Sequence, residues 1–391
     1  MDRVRFSAGN ARAMQAPPPP PGPRRFHRGL PGYAPTPLVE APGLARRLGL
    51  GRLWVKDEAA RFGLPAFKIL GASWAVACAL AERAGLDPDA EPLDLERLRG
   101  LAACRGPLRI TAATDGNHGR GLARVARWLG VPARIFVPAG TVPARITAIA
   151  AEGAEVIEVP GTYDATVERA AAEGEAGALL VQDHAWPGQE ALPRRVIEGY
   201  ATLFDEIEEA LAARGEPDPA AVLIQVGVGA LAAAGVHHWR RAGLAAERRP
   251  ALICVEPTAA ACVLASVEAG RIVTVAAGAE ASIMAGLNCG TPSSVAWPAL
   301  AGGMDAFVAV GDERAEEAVR ALAADGIASG ESGAAGVAGL LALCAGPDAT
   351  AARARLGLAG GATALVLSTE GPTDPAAWTR IVGRPPPVGI R

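Results

Sequence analysis

Val222-Leu223-Ile224-Gln225-Val226-Gly227-Val228-Gly229-Ala230-Leu231 decides the fold. Val222–Val226 is a near-continuous apolar run, as expected of a strand buried on both faces. Two glycines follow, and then a helical pattern. A strand, a glycine turn and a helix form the repeating unit of a parallel α/β sheet. Glycines at that turn free backbone N–H groups to cradle a phosphate at the helix N-terminus. A dinucleotide fingerprint competes with that reading, since Glu256 closes the next strand about where a ribose-binding acid would lie. Its spacing disagrees: Gly227 and Gly229 fill the first two glycine positions, but Ala232 fills the third.

The same alternation extends along the chain. Strands are predicted at Leu53–Lys56, Leu108–Ala113, Arg134–Val137, Glu155–Val159, Leu179–Gln182, Val222–Val226, Leu252–Val255, Ala306–Val310 and Ala364–Leu367. Helical patterns lie between them. Leu122, Val125, Ala126 and Leu129 mark one helical face, which Gly130 ends. Asp312 is expected to cap the helix carrying Ala315, Val319 and Leu322. In such folds ligands bind beyond the carboxyl ends of the strands, where helices begin.

At 391 residues the chain has room for two domains, and half of it is apolar. A net charge of −3 with no basic stripe argues against nucleic acid as the main partner. The six cysteines are scattered, with no CxxC or zinc spacing, which suits a reduced, cytoplasmic protein. No run of eighteen apolar residues suggests a membrane span. Residues 1–26 are Arg-rich and then Pro-rich, and are expected to form a mobile extension.

Only two of the 38 basic residues are lysines, Lys56 and Lys68. Drift toward arginine explains this blandly, but arginine cannot readily give up its proton, so a retained lysine can mark a required neutral amine. Lys68 stands in Ala66-Phe67-Lys68-Ile69-Leu70-Gly71-Ala72-Ser73, where a Gly/Pro-broken loop opens an apolar helix. Partial desolvation there makes an amine nucleophilic. Lys56, among acids in Val55-Lys56-Asp57-Glu58, reads as a structural ion pair. Three further loops follow strands. Thr114-Asp115-Gly116-Asn117-His118-Gly119 offers a carboxylate, an amide and an imidazole, or simply a capping turn. Asp183, before His184, is either an acid/base group or a helix cap. The hydroxyls of Ser368-Thr369-Glu370-Gly371 could meet a ring nitrogen or merely make turns.

A lysine, a phosphate cradle, an Asn loop and a hydroxyl loop together suit pyridoxal 5′-phosphate. The chain resembles the diaminopropionate ammonia-lyases, of the tryptophan-synthase-β-like (fold type II) pyridoxal-phosphate enzymes. The resemblance runs through Gly32–Leu38, Val55–Glu58, Arg61–Leu64, Ala66–Lys68, Thr114–Arg120, Val181–Asp183, Gly227–Gly229, Ile283–Leu287, Ser329–Ala334 and Ser368–Gly371. The aspartate that opens Asp115-Gly116-Asn117-His118-Gly119 is its most specific feature, since general dehydratases of the group usually place serine there.

The resemblance implies two doubly wound α/β domains with mainly parallel sheets and the cofactor in the cleft between them. Residues 27–78 and 190–391 would form the larger domain and 79–189 the smaller. Lys68 would be the Schiff-base lysine, with Phe67 beside it. Asn117 would face the ring oxygen, and the Gly227, Val228, Gly229, Ala230 and Leu231 backbone would hold the phosphate. Thr369 would face the ring nitrogen. Asp115 and Asp183 would be acid/base groups on opposite sides of the substrate α-carbon, with His118, Tyr163 and Ser73 in the substrate pocket. Cys262 and Cys289 match positions able to form a disulfide in the family. The implied partner is a small amino-acid substrate, and the implied assembly a homodimer.

Some positions depart from the family pattern. His184 replaces a threonine, Ala72 a glycine and Val226 a small residue. The segment before Ser329 is shortened. The implied reaction is α,β-elimination of 2,3-diaminopropionate to pyruvate and ammonia. A serine or threonine dehydratase, a cofactor-binding protein without catalysis and a nicotinamide oxidoreductase are the alternatives.

Overall fold

The computed structural model describes residues 2–104, 108–114, 116–161, 163–275, 281–345 and 348–387, the side chains of Tyr163 and Asp164 apart. The chain forms two units. The larger comprises Met1–Pro19, Pro35–Ala60 and Leu203–Arg391; the smaller comprises Pro20–Ala34 and Arg61–Thr202. The described strands are β1 (Arg3–Phe6), β2 (Leu38–Glu40), β3 (Arg52–Asp57), β4 (Ile110–Ala113), β5 (Ala133–Pro138), β6 (Glu155–Val159), β7 (Leu179–Leu180), β8 (Ala221–Gln225), β9 (Ala251–Pro257), β10 (Ala306–Val310) and β11 (Thr363–Ser368).

The larger unit carries a seven-stranded sheet in the order β1-β10-β9-β8-β11-β3-β2. Its five inner strands run parallel, and β1 and β2 are antiparallel edges. Every residue of β8, β9 and β10 is buried, which is why these strands read as unbroken apolar runs rather than alternating ones. Leu223, Ile253, Val308 and Val366 from the sheet pack with Val319, Leu322, Val337 and Leu340 from helices in one core. β8 and β11 are neighbours, with Val366 opposite Leu223. The segments after their carboxyl ends, Val226–Leu231 and Thr369–Gly371, therefore leave the same side of the sheet.

The smaller unit carries a four-stranded, wholly parallel sheet in the order β6-β5-β4-β7. Strands β4 and β7 are adjacent, with Thr111 opposite Leu180. The loops leading to Asn117 and to Asp183 thus also share one sheet end.

Three expectations are corrected. Residues 27–34, 61–78 and 190–202, expected in the larger domain, lie in the smaller unit. Helix Ile69–Arg83 packs there against helix Ala191–Gly199, where the Trp74 indole donates to Glu198 at 3.0 Å. The N-terminal segment is not a loose extension: β1 pairs with β10, and Arg249 donates to the Arg12 and Met14 carbonyls. Asp312 is the first residue of helix Asp312–Ala324 and not its cap. Its carboxylate accepts from the Ser282 hydroxyl at 2.5 Å and the Ile283 N–H at 3.2 Å, while Gly311 occupies the cap position. Among the described residues no single helix is long and apolar enough to cross a membrane.

Candidate active site

In the smaller unit, Phe67 and Lys68 immediately precede helix Ile69–Arg83. The Lys68 ammonium donates to Asp183 Oδ2 at 2.5 Å, with the lysine side chain 24% and the aspartate side chain 12% exposed. Helix Asn117–Leu129 begins close by, because Gly121 lets its backbone approach Ile69; a Cβ on Gly121 would sit 3.1 Å from Ile69 Cα. Asn117 opens that helix. His118 is buried and donates through Nε2 to the Val181 carbonyl at 2.9 Å, two residues before Asp183.

Burial pushes the Asp183 carboxyl up, but the Lys68 ammonium, then His118 and His184, outweigh it and hold the group well below the ordinary carboxylate range. The balance depends on Lys68. If that positive charge is removed, burial remains and the carboxyl must rise.

Tyr200 escaped the sequence reading. Its ring centroid lies 4.8 Å from that of Phe67, it is 1% exposed, and its hydroxyl has no hydrogen-bond partner among the described residues. A Cβ on Gly71 would sit 2.7 Å from the Tyr200 ring. The Gly71-to-Tyr200 spacing in sequence carries no local signal of this contact. Burial raises the phenol's pKa, with Lys68 and Asp183 close enough to pull it in opposite directions.

Three proposed residues stand apart from this cluster or beyond description. Ser73 is buried inside its helix, with its hydroxyl on the Leu70 carbonyl and on His27 Nε2 at 3.1 Å. It braces the N-terminal helix Gly22–Arg28 through His27. Asp115 lies outside the described residues, as does the side chain of Tyr163, whose backbone opens helix Tyr163–Glu175.

In the larger unit, Gly229 precedes the ten-residue helix Ala230–Trp239 with φ +100°, a left-handed conformation that side chains disfavour. A Cβ there would overlap Leu300 Cδ1. The loop Gly227–Leu231 thus brings bare backbone to a helix N-terminus, the arrangement that receives a phosphate. Ser293 donates its N–H to the Val228 carbonyl at 2.9 Å, and the neighbouring Ser294 hydroxyl is buried without a partner among the described residues. Thr369 is 4% exposed, and its hydroxyl oxygen accepts from Gln225 Nε2 at 2.9 Å.

The remaining candidates are accounted for structurally. Lys56 is fully buried and donates to Glu206 at 2.6 Å and to the Thr36 carbonyl at 2.7 Å. Glu256 receives the N–H groups of Val263 and Leu264, each at 2.8 Å. It therefore caps helix Cys262–Ala269, and both its oxygens are engaged there. All six cysteines are thiols, including Cys262 and Cys289.

These two sets of residues fit pyridoxal phosphate: an accessible amine beside a carboxylate, bare backbone at a helix N-terminus and a buried hydroxyl at a strand end. Residues 30–354 match the family model described as pyridoxal-phosphate dependent enzyme. The chain is 38% identical to diaminopropionate ammonia-lyase of Escherichia coli K12 over 365 residues, covering 92% of this chain and 90% of that protein. The solved structure of the E. coli enzyme in complex with D-serine is similar with a TM-score of 0.88 and 35% identity, covering 98% of this chain and 97% of that one. A second, in complex with an aminoacrylate-PLP azomethine reaction intermediate, is similar with a TM-score of 0.86 and 34% identity, covering 98% and 97%. The fold and site define a fold-type II enzyme that uses pyridoxal phosphate. Within that class, the chain belongs to the diaminopropionate ammonia-lyases. It is a pyridoxal-phosphate-dependent ammonia-lyase acting by elimination.

Proposed function

We propose that the enzyme converts 2,3-diaminopropionate and water to pyruvate and two ammonia, with Lys68 as the amine that carries the cofactor and Asp115 and Asp183 as the acid/base groups. When bound, pyridoxal phosphate supplies an electron sink for negative charge at the substrate α-carbon. The chain must then move two protons: one leaves the α-carbon, and one reaches the β-nitrogen so that it departs as ammonia. The observation that carries this reading is the Lys68–Asp183 contact, supported by the engagement of the other lysine in a buried ion pair.

Asp183 is poised by this contact. While Lys68 is an ammonium, Asp183 stays ionised. Once the lysine nitrogen is uncharged, burial raises the carboxyl toward the range where it exchanges protons during turnover. The Gly227–Leu231 backbone would hold the phosphate, Asn117 the ring oxygen and Thr369 the ring nitrogen. His118, fixed on the Val181 carbonyl, orients the segment carrying Asp183. Asp115 would serve the opposite face of the α-carbon, which accounts for an enzyme handling both enantiomers. The protein is taken as a cytoplasmic homodimer, the latter measurable by light scattering.

The test is a pyruvate and ammonia assay over both enantiomers of diaminopropionate, serine and threonine. Two ammonia per pyruvate from diaminopropionate is the expected result. Turnover of threonine or serine with none of diaminopropionate overturns the substrate assignment in favour of a dehydratase.

A further inference from the structure

Gln225 closes strand β8 and is 3% exposed. Its amide nitrogen lies 3.2 Å from the Ser332 carbonyl oxygen, 3.0 Å from that of Gly333 and 3.0 Å from that of Leu367. Its fourth neighbour is Thr369 Oγ1, at 2.9 Å. Three carbonyl oxygens fix which end of the amide points this way, since turning the amide over would face its oxygen with three other oxygens. The amide oxygen lies on the other side, near Gly336, with no hydrogen-bond partner among the described residues. An amide nitrogen only donates. Its two hydrogens serve four oxygens, of which Thr369 Oγ1 is the nearest; there Thr369 accepts, and its own hydrogen is left to point elsewhere.

We propose that Gln225 is a positioning residue that fixes the Thr369 hydroxyl as a hydrogen-bond donor, so that a ring nitrogen seated on it is held as a bare acceptor without a proton. This rests on the reading of Thr369 as the ring-nitrogen partner of the cofactor. A hydroxyl donates or accepts with equal ease until a neighbour decides, and here the neighbour is a side chain locked by backbone from two segments, Ser332–Gly333 and Leu367. The consequence is electronic. A neutral ring withdraws less charge than a protonated one, so proton handling by the carboxylates weighs more in the reaction.

The experiment loads the full-length enzyme with pyridoxal phosphate carrying nitrogen-15 in the ring and reads that nitrogen by NMR. The wild-type enzyme should give the resonance of a bare pyridine. In Gln225→Glu, a carboxyl facing three carbonyls is expected to be protonated and to give its one hydrogen to a carbonyl. The same oxygen, standing where the amide nitrogen faces Thr369 Oγ1, then takes the Thr369 hydrogen on a lone pair, the threonine turns a lone pair to the ring, and the resonance should move toward that of a protonated pyridine. Adding Thr369→Val should remove this response, because Gln225 acts only through Thr369; a merely structural defect would not depend on Thr369. A protonated ring in the wild-type enzyme overturns the inference by itself, even if the variants do not fold. An unchanged resonance in folded, loaded Gln225→Glu overturns it equally. Borohydride trapping run alongside separates the two readings. Cofactor fixed on Lys68 with a protonated ring sinks only the role of Gln225, whereas no cofactor on Lys68 sinks the assignment of the site, and the inference with it.

Discussion

Lys68 and Asp183 form a contact of 2.5 Å in which each group sets the charge of the other's surroundings. The carboxylate neutralises the ammonium in the cofactor-free protein, and the ammonium is what keeps a buried carboxyl ionised. In the proposed function, any step that left the lysine nitrogen uncharged would let burial raise the Asp183 carboxyl, so the state of one residue would reset the other.

Lys68 is the residue that borohydride should fix to the cofactor, and Lys56 should stay unmodified. Lys68→Arg should lose turnover, because a guanidinium keeps its proton and cannot take the place of a neutral amine. Peptide mapping after reduction reads the first outcome and pyruvate release the second. Full activity in Lys68→Arg would falsify the role.

Lys56 makes the contrasting prediction. It is fully buried beside Glu206 and Glu58. Lys56→Met should strand a buried carboxylate and cost about 3–5 kcal/mol of stability, without altering which lysine the cofactor modifies. Urea denaturation measures the loss. A variant as stable as the parent means the pair is dispensable.

Much of this was legible beforehand, and the exceptions have physical causes. All nine strands read from the sequence are present; the inner ones, β8, β9 and β10 above all, read clearly because they are buried on both faces, while β6 is an edge strand. Strands β1 and β2 were missed. They are short antiparallel edges, and β1, Arg3–Phe6, alternates arginine with apolar residues and is mostly exposed. The unit boundary was misplaced because Gly71 and Gly199 carry the packing of two helices far apart in sequence: a Cβ on Gly199 would lie 2.6 Å from the Leu70 carbonyl. Gln225 and Tyr200 were invisible as site residues for the same reason. Their relevance comes from neighbours, Thr369 and Phe67, more than a hundred residues away. Lys68, Asp183 and the Gly227–Leu231 loop were legible because each sits where a helix begins or just past a strand end, and local pattern marks those places.

Gly229→Ala should weaken cofactor binding without adding any charge. The methyl group meets Leu300 and the backbone has φ +100°, so the loop must shift away from the helix N-terminus. Retention of cofactor after dialysis, read from its visible absorption, should fall by orders of magnitude. Undiminished retention would place the phosphate elsewhere.

Acid stability of the cofactor-free protein should report the Lys68–Asp183 pair. The Asp183 carboxyl is depressed below its ordinary value of 3.8 by the lysine, so the pair stabilises the fold above that value while the lysine keeps its proton. As pH falls below it, the unfolded chain takes up a proton that the folded carboxylate still refuses, and stability is lost. Asp183→Asn should therefore show a shallower fall in urea midpoint between neutral pH and about pH 3. An equally steep fall in both proteins means that other carboxylates govern acid unfolding.

The two aspartates should divide the enantiomers between them. If they approach the α-carbon from opposite faces, each serves as base for one hand of the substrate. Replacement by asparagine keeps size and hydrogen bonding but removes the base, a change that costs about 10²–10⁴ in rate. Asp115→Asn and Asp183→Asn should therefore shift the ratio of D- to L-diaminopropionate turnover in opposite directions, with Asp115 weighing on the L form and Asp183 on the D form. His184 tempers the second effect, because the imidazole already pulls on the Asp183 carboxyl and offers a second proton acceptor beside it. Asp183→Asn should thus lose less of its preferred enantiomer's turnover than Asp115→Asn, and adding His184→Thr should close that gap. Steady-state kinetics of the three variants on both enantiomers provides the check. Equal losses on both substrates in both aspartate variants would leave Lys68 as the sole base and reduce the carboxylates to groups that hold the lysine and substrate in place.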